Sequence, residues 1–461
     1  MTIRSVLIAN RGEIAVRIIR AAKALGIRTV QVHSAADAEM LAVKLADEAV
    51  DIGPPAPKKS YLNIEAVIAA AKAAKVDAVH PGYGFLSENG DFADAVVAAG
   101  MAFVGPSGDA IRLLGDKVSA REVAARAGVP TVPGSGGRVL TLDDAHRIAE
   151  RTGFPVMVKA AAGGGGRGIR IVETLADLEK QFPLASAEAA AAFGDGGLYM
   201  EKVITRARHV EVQIFGDGEN FVHLYERECS LQRRRQKVWE EAPAFELPQV
   251  VRKKLCESAV ALAREVRYTG AGTVEYLYDE ETREFYFIEV NTRIQVEHPV
   301  TEMITGVDLV QEMLKVAGGA PLSLKQDDIK PRGHAIECRI NAEDPFKDFA
   351  PSPGTITKLV VPEGKSVRFD TMLYEGYTIP PFYDSLLGKL IVWGETRSEC
   401  LERLAKTLEG LKIEGVPTTI PLHQTLARSA AVASGAFHTR FLEGWLETDF
   451  TETKTKSAEV A

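Results

Sequence analysis

The stretch densest in chemistry is Phe287-Ile288-Glu289-Val290-Asn291-Thr292-Arg293-Ile294-Gln295-Val296-Glu297. In extended chain successive side chains alternate sides, so Glu289, Asn291, Arg293, Gln295 and Glu297 share one face. Ile288, Val290, Ile294 and Val296 take the other. Alternation alone also describes any half-exposed strand. Two companions set this one apart. Glu275 sits in the apolar run Thr273-Val274-Glu275-Tyr276-Leu277, where a carboxylate without a partner is costly. Glu275, Glu289 and Asn291 together form a hard, oxygen-only set suited to Mg²⁺ that keeps water and phosphate oxygens as its other ligands.

A second candidate is a glycine loop. Pro155-Val156-Met157-Val158-Lys159 reads as a strand leading into Gly163-Gly164-Gly165-Gly166-Arg167-Gly168, and the chain leaves through Ile169-Arg170-Ile171-Val172. Glycines let backbone N–H groups approach an anion with no side chain in the way. No Gly-Lys-Ser/Thr follows and the exit reads as a strand, so the loop is not a Walker A motif. A hairpin of this kind suits a flap over phosphates; a flexible linker would use the same glycines. Lys159, just before the loop, and Lys117 in Gly115-Asp116-Lys117 supply the cations a triphosphate needs. Glu228-Cys229-Ser230-Leu231-Gln232-Arg233-Arg234-Arg235-Gln236-Lys237 reads by itself as a solvated basic patch. His80-Pro81-Gly82-Tyr83-Gly84-Phe85 reads by itself as a structural turn. Neither Gly-x-Ser-x-Gly nor His-Glu-x-x-His occurs.

The elements that must position these residues follow from periodicity. Val6-Leu7-Ile8 is a short apolar strand, and Ile14, Ile18, Ala21, Ala22 and Leu25 mark a helix that Gly26 ends. Thr29–Val32, Val76–Val79 and Ala102–Val104 continue the alternation, so residues 1–115 read as a parallel α/β unit. The loop Asn10-Arg11-Gly12-Glu13 has one glycine where a dinucleotide fingerprint needs three, which argues against an NAD-linked oxidoreductase. Residues 128–137 are dense in turn formers and read as a hinge before a small lobe.

At 461 residues the chain predicts two or three domains. Hydrophobic residues make up 46% and charged residues 26%, which excludes disordered, collagenous and coiled-coil classes. Lys plus Arg number 55 against 63 Asp plus Glu, a net charge of −8 that argues against a nucleic-acid partner. Cys229, Cys256, Cys338 and Cys400 form no Cys-x-x-Cys pair, which argues against a zinc ribbon, an iron–sulfur site or a disulfide framework. The first ten residues lack the apolar stretch of a signal peptide, and no apolar run reaches the ~18 residues that span a bilayer. A cytoplasmic chain without a membrane partner is the expectation.

Three further segments complete an ordered series: Ala9-Asn10-Arg11-Gly12-Glu13-Ile14-Ala15, Leu86-Ser87-Glu88-Asn89 after the aromatic turn, and Gly333-His334-Ala335-Ile336-Glu337-Cys338-Arg339-Ile340-Asn341-Ala342-Glu343-Asp344. With the glycine loop and Glu289–Pro299, these segments resemble the biotin carboxylase family of ATP-grasp enzymes, over about Ile8 to Trp445. Each glycine motif is weak alone; the series is specific. The resemblance implies an α/β (α+β overall) fold. A Rossmann-like pre-ATP-grasp domain would span 1–115 and an ATP-grasp domain 116–320, with its lid lobe at about 131–204. A mostly β C-terminal domain would span 331–447, and a flexible tail 451–461.

Carried over by motif, Lys117, Lys159, Gly165, Gly166, Glu201, Lys202, Ile204, His209 and Leu277 would contact ATP, with Gln232 nearby. Glu275, Glu289 and Asn291 would hold two Mg²⁺ or Mn²⁺ ions. Lys237, Arg293, Gln295 and Val296 would hold bicarbonate, and Glu297 would be its base. Arg339 would face the biotin ureido oxygen, with Tyr83 beside the ring. Bicarbonate is a poor nucleophile, so a base that takes its proton during attack on the γ-phosphoryl group suits the chemistry. The expected product is carboxyphosphate, whose breakdown supplies CO₂ to biotin. In the acetyl-CoA carboxylase branch a histidine usually stands at Arg235 and a small β-branched residue at Trp239, so these positions depart from the pattern. No Ala-Met-Lys-Met-type site occurs, so biotin would arrive as a substrate on a separate biotin carboxyl carrier protein. A separate carboxyltransferase and a homodimer are the other expected partners. Another ATP-grasp ligase would share the glycine lid and the metal strand but not the Arg293–Glu297 run or the Arg339 segment.

Overall fold

The computed structural model describes residues 2–160, 170–193 and 195–450. They form two compact units: Met1–Val129 with Arg208–Leu277 and Glu289–Ala461, and Pro130–Ala207 with Tyr278–Ile288.

The first unit opens on a five-stranded parallel sheet in the spatial order Glu48–Asp51, Arg28–His33, Ser5–Ile8, Ala78–His80 and Ala102–Phe103. The central strand shows why its apolar residues run without interruption. Val6 and Ile8 pack into one core, while Leu7 packs into another on the opposite face. A parallel sheet is covered on both sides, so both side-chain sets must be apolar. Helix Gly12–Ala24 follows, burying Ile14, Ile18, Ala21 and Ala22. Gly26 just beyond it takes φ +71°, the left-handed conformation that stops helices at little cost to glycine.

The same unit contains an eight-stranded sheet. Its order is Glu284–Asn291, Thr269–Asp279, Ala207–Asp217, Phe221–Arg233, Gln236–Ala242, His334–Asn341, Leu386–Gly394 and Val367–Thr371; residues 278–288 of the first two strands count with the second unit. Residues from the 116–320 segment and the 331–447 segment therefore share one sheet. Trp239 pairs with Cys338 and Glu240 with Glu337 across the junction. Beyond these strands come helices Arg397–Gly410, Ile420–Leu426, Ala430–Ala433 and Phe441–Glu447. Among the described residues no helix is long and apolar enough to cross a membrane.

One expectation needs correction. The strand that carries Glu289 ends at Asn291, and residues 292–297 form bends and a turn before helix His298–Thr305. The two-residue alternation reaches only from Glu289 to Asn291. Arg293, Gln295 and Glu297 meet their partners because the chain folds back, not because they share a strand face.

A buried ion pair fastens this sheet to the helix behind it. Glu241 is fully buried; it accepts from Arg397 Nε at 2.6 Å and Nη2 at 3.0 Å, and lies 2.6 Å from His334 Nε2. Burial alone would push its carboxyl up, but Arg397 and His334 outweigh that and hold it near about 2. A depressed carboxyl contributes stability that is full above the unfolded value and is lost as pH falls toward the folded one. Between about pH 4.5 and 2 this pair should cost the fold on the order of 3 kcal/mol. The difference in melting temperature between the parent protein and Glu241→Gln should therefore shrink as pH drops through that window. A gap that stays constant from pH 7 to 3 would refute the assignment.

The second unit has its own core of Val139, Ala145, Ala149, Val156, Val158, Leu178, Phe182, Leu198 and Met200. Its sheet runs Arg170–Val172, Val156–Ala160, Leu198–Lys202, all antiparallel, beneath helices Leu142–Thr152 and Leu175–Phe193. The glycine loop joins the first two of these strands. Its residues 163–168, Gly165 and Gly166 among them, lie outside the described residues.

Candidate active site

Strand Ala207–Asp217 alternates His209, Glu211 and Gln213 with Val210, Val212 and Ile214, and every one of these is buried. A polar face that never meets water must be paired internally. The partner at its centre is Lys237, one strand beyond Phe221–Arg233. Its Nζ donates to Glu211 Oε2 at 2.5 Å, Glu297 Oε1 at 2.6 Å and Glu275 Oε1 at 2.9 Å. Burial would weaken the ammonium's hold on its proton, but the three carboxylates hold it well above the usual lysine range.

Each carboxylate has a second cation. Arg227 donates through Nε to Glu211 at 2.6 Å, and Arg339 through Nη2 to Glu297 Oε2 at 3.0 Å. His209 Nε2 lies 3.1 Å from Glu275 Oε2. Burial opposes the imidazolium, yet Glu275 outweighs it and raises His209 to about 9. Burial and the neighbouring Glu211 push Glu297 up, while Lys237, Arg339 and Arg227 pull it down further, leaving it below the usual carboxylate range. Glu297 is thus an ionised, fully buried carboxylate with one oxygen on Lys237 and the other on Arg339.

The oxygen-only set lies alongside. Glu275 Oε1 also accepts from Asn291 Nδ2 at 2.9 Å and Gln295 Nε2 at 3.1 Å. Glu289 is half-buried and makes no hydrogen bond or ion pair with a described residue. Burial, then repulsion from Glu275, raise its pKa. A divalent cation would relieve that repulsion, and oxygen donors are what Mg²⁺ and Mn²⁺ take. The residues fit the ion. His209, Glu211 and Glu275 also present close donor atoms.

Arg293 crosses this group. It donates from Nη1 to Gln295 Oε1 at 2.7 Å and from Nη2 to Asn291 Oδ1 at 3.1 Å, and its Nε lies 3.0 Å from Glu88. Arg339 also donates through Nε to Glu240 at 2.6 Å. Burial pushes Glu240 up to about 7 despite the pull of Arg339. The aromatic turn has a structural task here. Asn10 Nδ2 donates to the carbonyls of Pro81 at 2.6 Å and Tyr83 at 2.7 Å. Gly82 between them has φ +62°, and a Cβ would sit 3.0 Å from that same nitrogen. The turn so held aims the Tyr83 hydroxyl at Glu13, to which it donates.

Gln232 Nε2 lies 3.0 Å from His209 Nδ1 and donates to the Cys229 carbonyl at 2.8 Å. Lys117 begins helix Lys117–Arg126 and is among the charges that lower Glu289; Leu277 is half-buried on strand Thr269–Asp279. In the second unit Lys159 Nζ lies 2.6 Å from Glu201 Oε2, and Lys202 and Ile204 are half-buried at and beyond the end of the neighbouring strand. Arg235 is exposed at the tip of the hairpin whose two turn residues, Arg234 and Arg235, take φ +48° and +65°. Trp239 is buried, its ring centroid 6.5 Å from that of His423.

Sequence reasoning missed Glu211, Arg227, Glu240, Glu13 and Lys389. A signal existed for Glu211: it shares the polar face of the His209–Ile214 alternation with a residue already singled out. Lys389 carried one too, as a charge inside the apolar run Leu386–Gly394.

The polar cluster on an antiparallel sheet and the matches to known proteins place the chain in the ATP-grasp class of ATP-dependent ligases. The model for the carbamoyl-phosphate synthase L chain ATP binding domain matches residues 116–325. Those for the biotin carboxylase N-terminal and C-terminal domains match 2–111 and 337–444. Biotin carboxylase from Pseudomonas aeruginosa is 53% identical over 449 residues, covering 97% of this chain and 99% of the relative. Biotin carboxylase 1 from Bacillus subtilis is 52% identical over 442 residues, covering 96% and 98%. The crystal structure of a biotin carboxylase–β,γ-ATP complex from Campylobacter jejuni matches with a TM-score of 0.87 at 47% identity, covering 96% of this chain and 98% of that one. The bicarbonate-bound biotin carboxylase domain of a thermophilic 2-oxoglutarate carboxylase matches with a TM-score of 0.92 at 46% identity and the same coverage. The chain belongs to the biotin carboxylase family.

Proposed function

We propose that this chain uses ATP and bicarbonate to carboxylate biotin presented on a separate carrier protein, and that Glu297 is the base. The observation that carries the reading is the grip on Glu297: ionised, buried, and divided between Lys237 and Arg339. A bicarbonate entering among Lys237, Arg293 and Gln295 would compete for those donors and free the Glu297 carboxylate to take its proton. The bicarbonate oxygen then forms a bond to the γ-phosphorus as the bond to ADP breaks. A divalent cation on Glu275, Glu289 and Asn291 supplies charge neutralisation for the phosphates. Carboxyphosphate would then break to CO₂ and phosphate, and the phosphate would take the biotin N1 proton as N1 bonds to CO₂. Arg339, released from Glu297 as that carboxylate takes up a proton, would stabilise the negative charge on the ureido oxygen. Lys117, Lys159, Gly165, Gly166, Glu201, Lys202, Ile204, His209, Gln232 and Leu277 are the proposed nucleotide contacts, and Tyr83 and Val296 the proposed biotin and bicarbonate contacts. A carboxyltransferase, a homodimeric state and a cytoplasmic setting belong to the same proposal.

The test is ADP release by the purified protein with Mg-ATP, with and without bicarbonate, free biotin and biotinylated carrier. Turnover that needs bicarbonate and rises with biotin in either form supports the reading. ATP cleavage indifferent to bicarbonate would overturn it in favour of another ATP-grasp ligase.

A further inference from the structure

Lys389 is fully buried on strand Leu386–Gly394, directly opposite Arg339 in the register of the sheet. No role in the proposed reaction accounts for it. Its ammonium has two partners. Nζ donates to the Val296 carbonyl at 2.8 Å and lies 3.0 Å from Glu13 Oε1. Glu13 is itself buried and accepts from the Tyr83 hydroxyl through the same oxygen. One buried cation therefore ties together the turn that carries Glu297, the carboxylate that holds Tyr83, and the strand beside Arg339.

The direction of the Val296 contact matters. Residues 292–297 belong to no strand or helix, so no ladder of backbone hydrogen bonds fixes the peptide between Val296 and Glu297. Lys389 does so from below. The carbonyl bond fixes the peptide plane from which the Glu297 side chain leaves. A charged donor on a carbonyl is among the stronger hydrogen bonds a buried site can use.

We infer that Lys389 is a positioning residue for the bicarbonate subsite, holding the Val296–Glu297 peptide through its carbonyl so that Glu297, the next residue, keeps its carboxylate toward the anion. Glu13 serves as its counter-ion and shares that task with the Tyr83 side. Glu337 is buried nearby with neither oxygen hydrogen-bonded, and burial pushes its carboxyl well up against the pull of Lys389, so it leaves Glu13 as the lysine's counter-ion. The inference rests on the bicarbonate reading above.

The test compares Lys389→Met, Lys389→Arg and the double variant Glu13→Gln/Lys389→Met with the parent protein. ADP release is measured at varied bicarbonate and varied ATP. The double variant removes the cation together with its counter-ion, so it avoids stranding a buried charge. The expected result is a KM for bicarbonate raised tenfold or more in both Met variants, with the KM for ATP within twofold. Lys389→Arg should recover part of the loss. Unchanged bicarbonate kinetics in a folded Met variant would overturn the inference, as would equal losses toward both substrates. So would failure of both Met variants to fold, since Lys389 would then be structural. A parent protein that cleaves ATP without bicarbonate would instead overturn the reading on which the inference rests, and the two failures separate on that control.

Discussion

Glu297→Gln should fold normally, bind ATP as before, and lose bicarbonate-dependent ADP release by about 10²- to 10⁴-fold, the range expected when a general base is removed. Glutamine keeps the shape of the side chain, and its one oxygen can still accept from Lys237 or from Arg339, which donate to separate carboxylate oxygens at 2.6 and 3.0 Å. What it cannot do is take a proton. Because Lys237, Arg339 and Arg227 keep Glu297 ionised, its loss should be felt across the whole neutral range rather than at one pH. Turnover within threefold of the parent protein would remove Glu297 from the role of base.

The second large effect is on stability. Lys237→Met withdraws one ammonium from Glu211, Glu275 and Glu297, all nearly or fully buried. Breaking a buried pair from one side costs about 3–5 kcal/mol because the other charge stays behind uncompensated. The pH dependence should also change sign. Lys237 is a leading cause of the low carboxyl values at Glu211 and Glu275, and it is among those that lower Glu297. Without it, burial is opposed only by Arg227, His209 and Arg339, and the carboxyls should rise, with those that pass their unfolded values reversing the sign. A raised carboxyl stabilises the fold at low pH and loses that contribution as pH climbs through the folded value. The variant should therefore melt higher at pH 5 than at pH 8. A variant that melts with the parent at pH 8 would show that the cluster is not held by this lysine.

Much of this arrangement could be read in the chain before any coordinates. The parallel unit was legible because a strand buried on both faces has an unmistakable pattern, as Val6-Leu7-Ile8 does. Glu275 stood out because an acid inside an apolar run demands a partner, and it has Lys237, His209, Asn291 and Gln295. The convergence of Arg293, Gln295 and Glu297 was reached by a wrong route, since strand periodicity cannot reveal where a strand stops. Lys389 carried the same signal, a charge inside an apolar run, and was passed over; what the sequence could not name was its partners or those of Arg227. Their partners lie at 211 and at 13 and 296, and nothing local to either residue encodes such separations. The sharing of one sheet by the 236–242 and 334–341 strands is likewise a tertiary fact that no local pattern carries.

That shared sheet bears on how faithfully ATP would be spent. Lys237 and Arg339 stand on adjacent strands and grip opposite oxygens of one carboxylate. Neighbouring strands are held about 4.8 Å apart by their backbone ladder. The spacing of the backbone positions that carry the proposed phosphate-side and biotin-side grips is thus a fixed dimension of the sheet, and only the two side chains are left to move. Slippage, in which ATP is cleaved and nothing is carboxylated, would then be governed by whether biotin has arrived, not by the protein losing its alignment between the two steps.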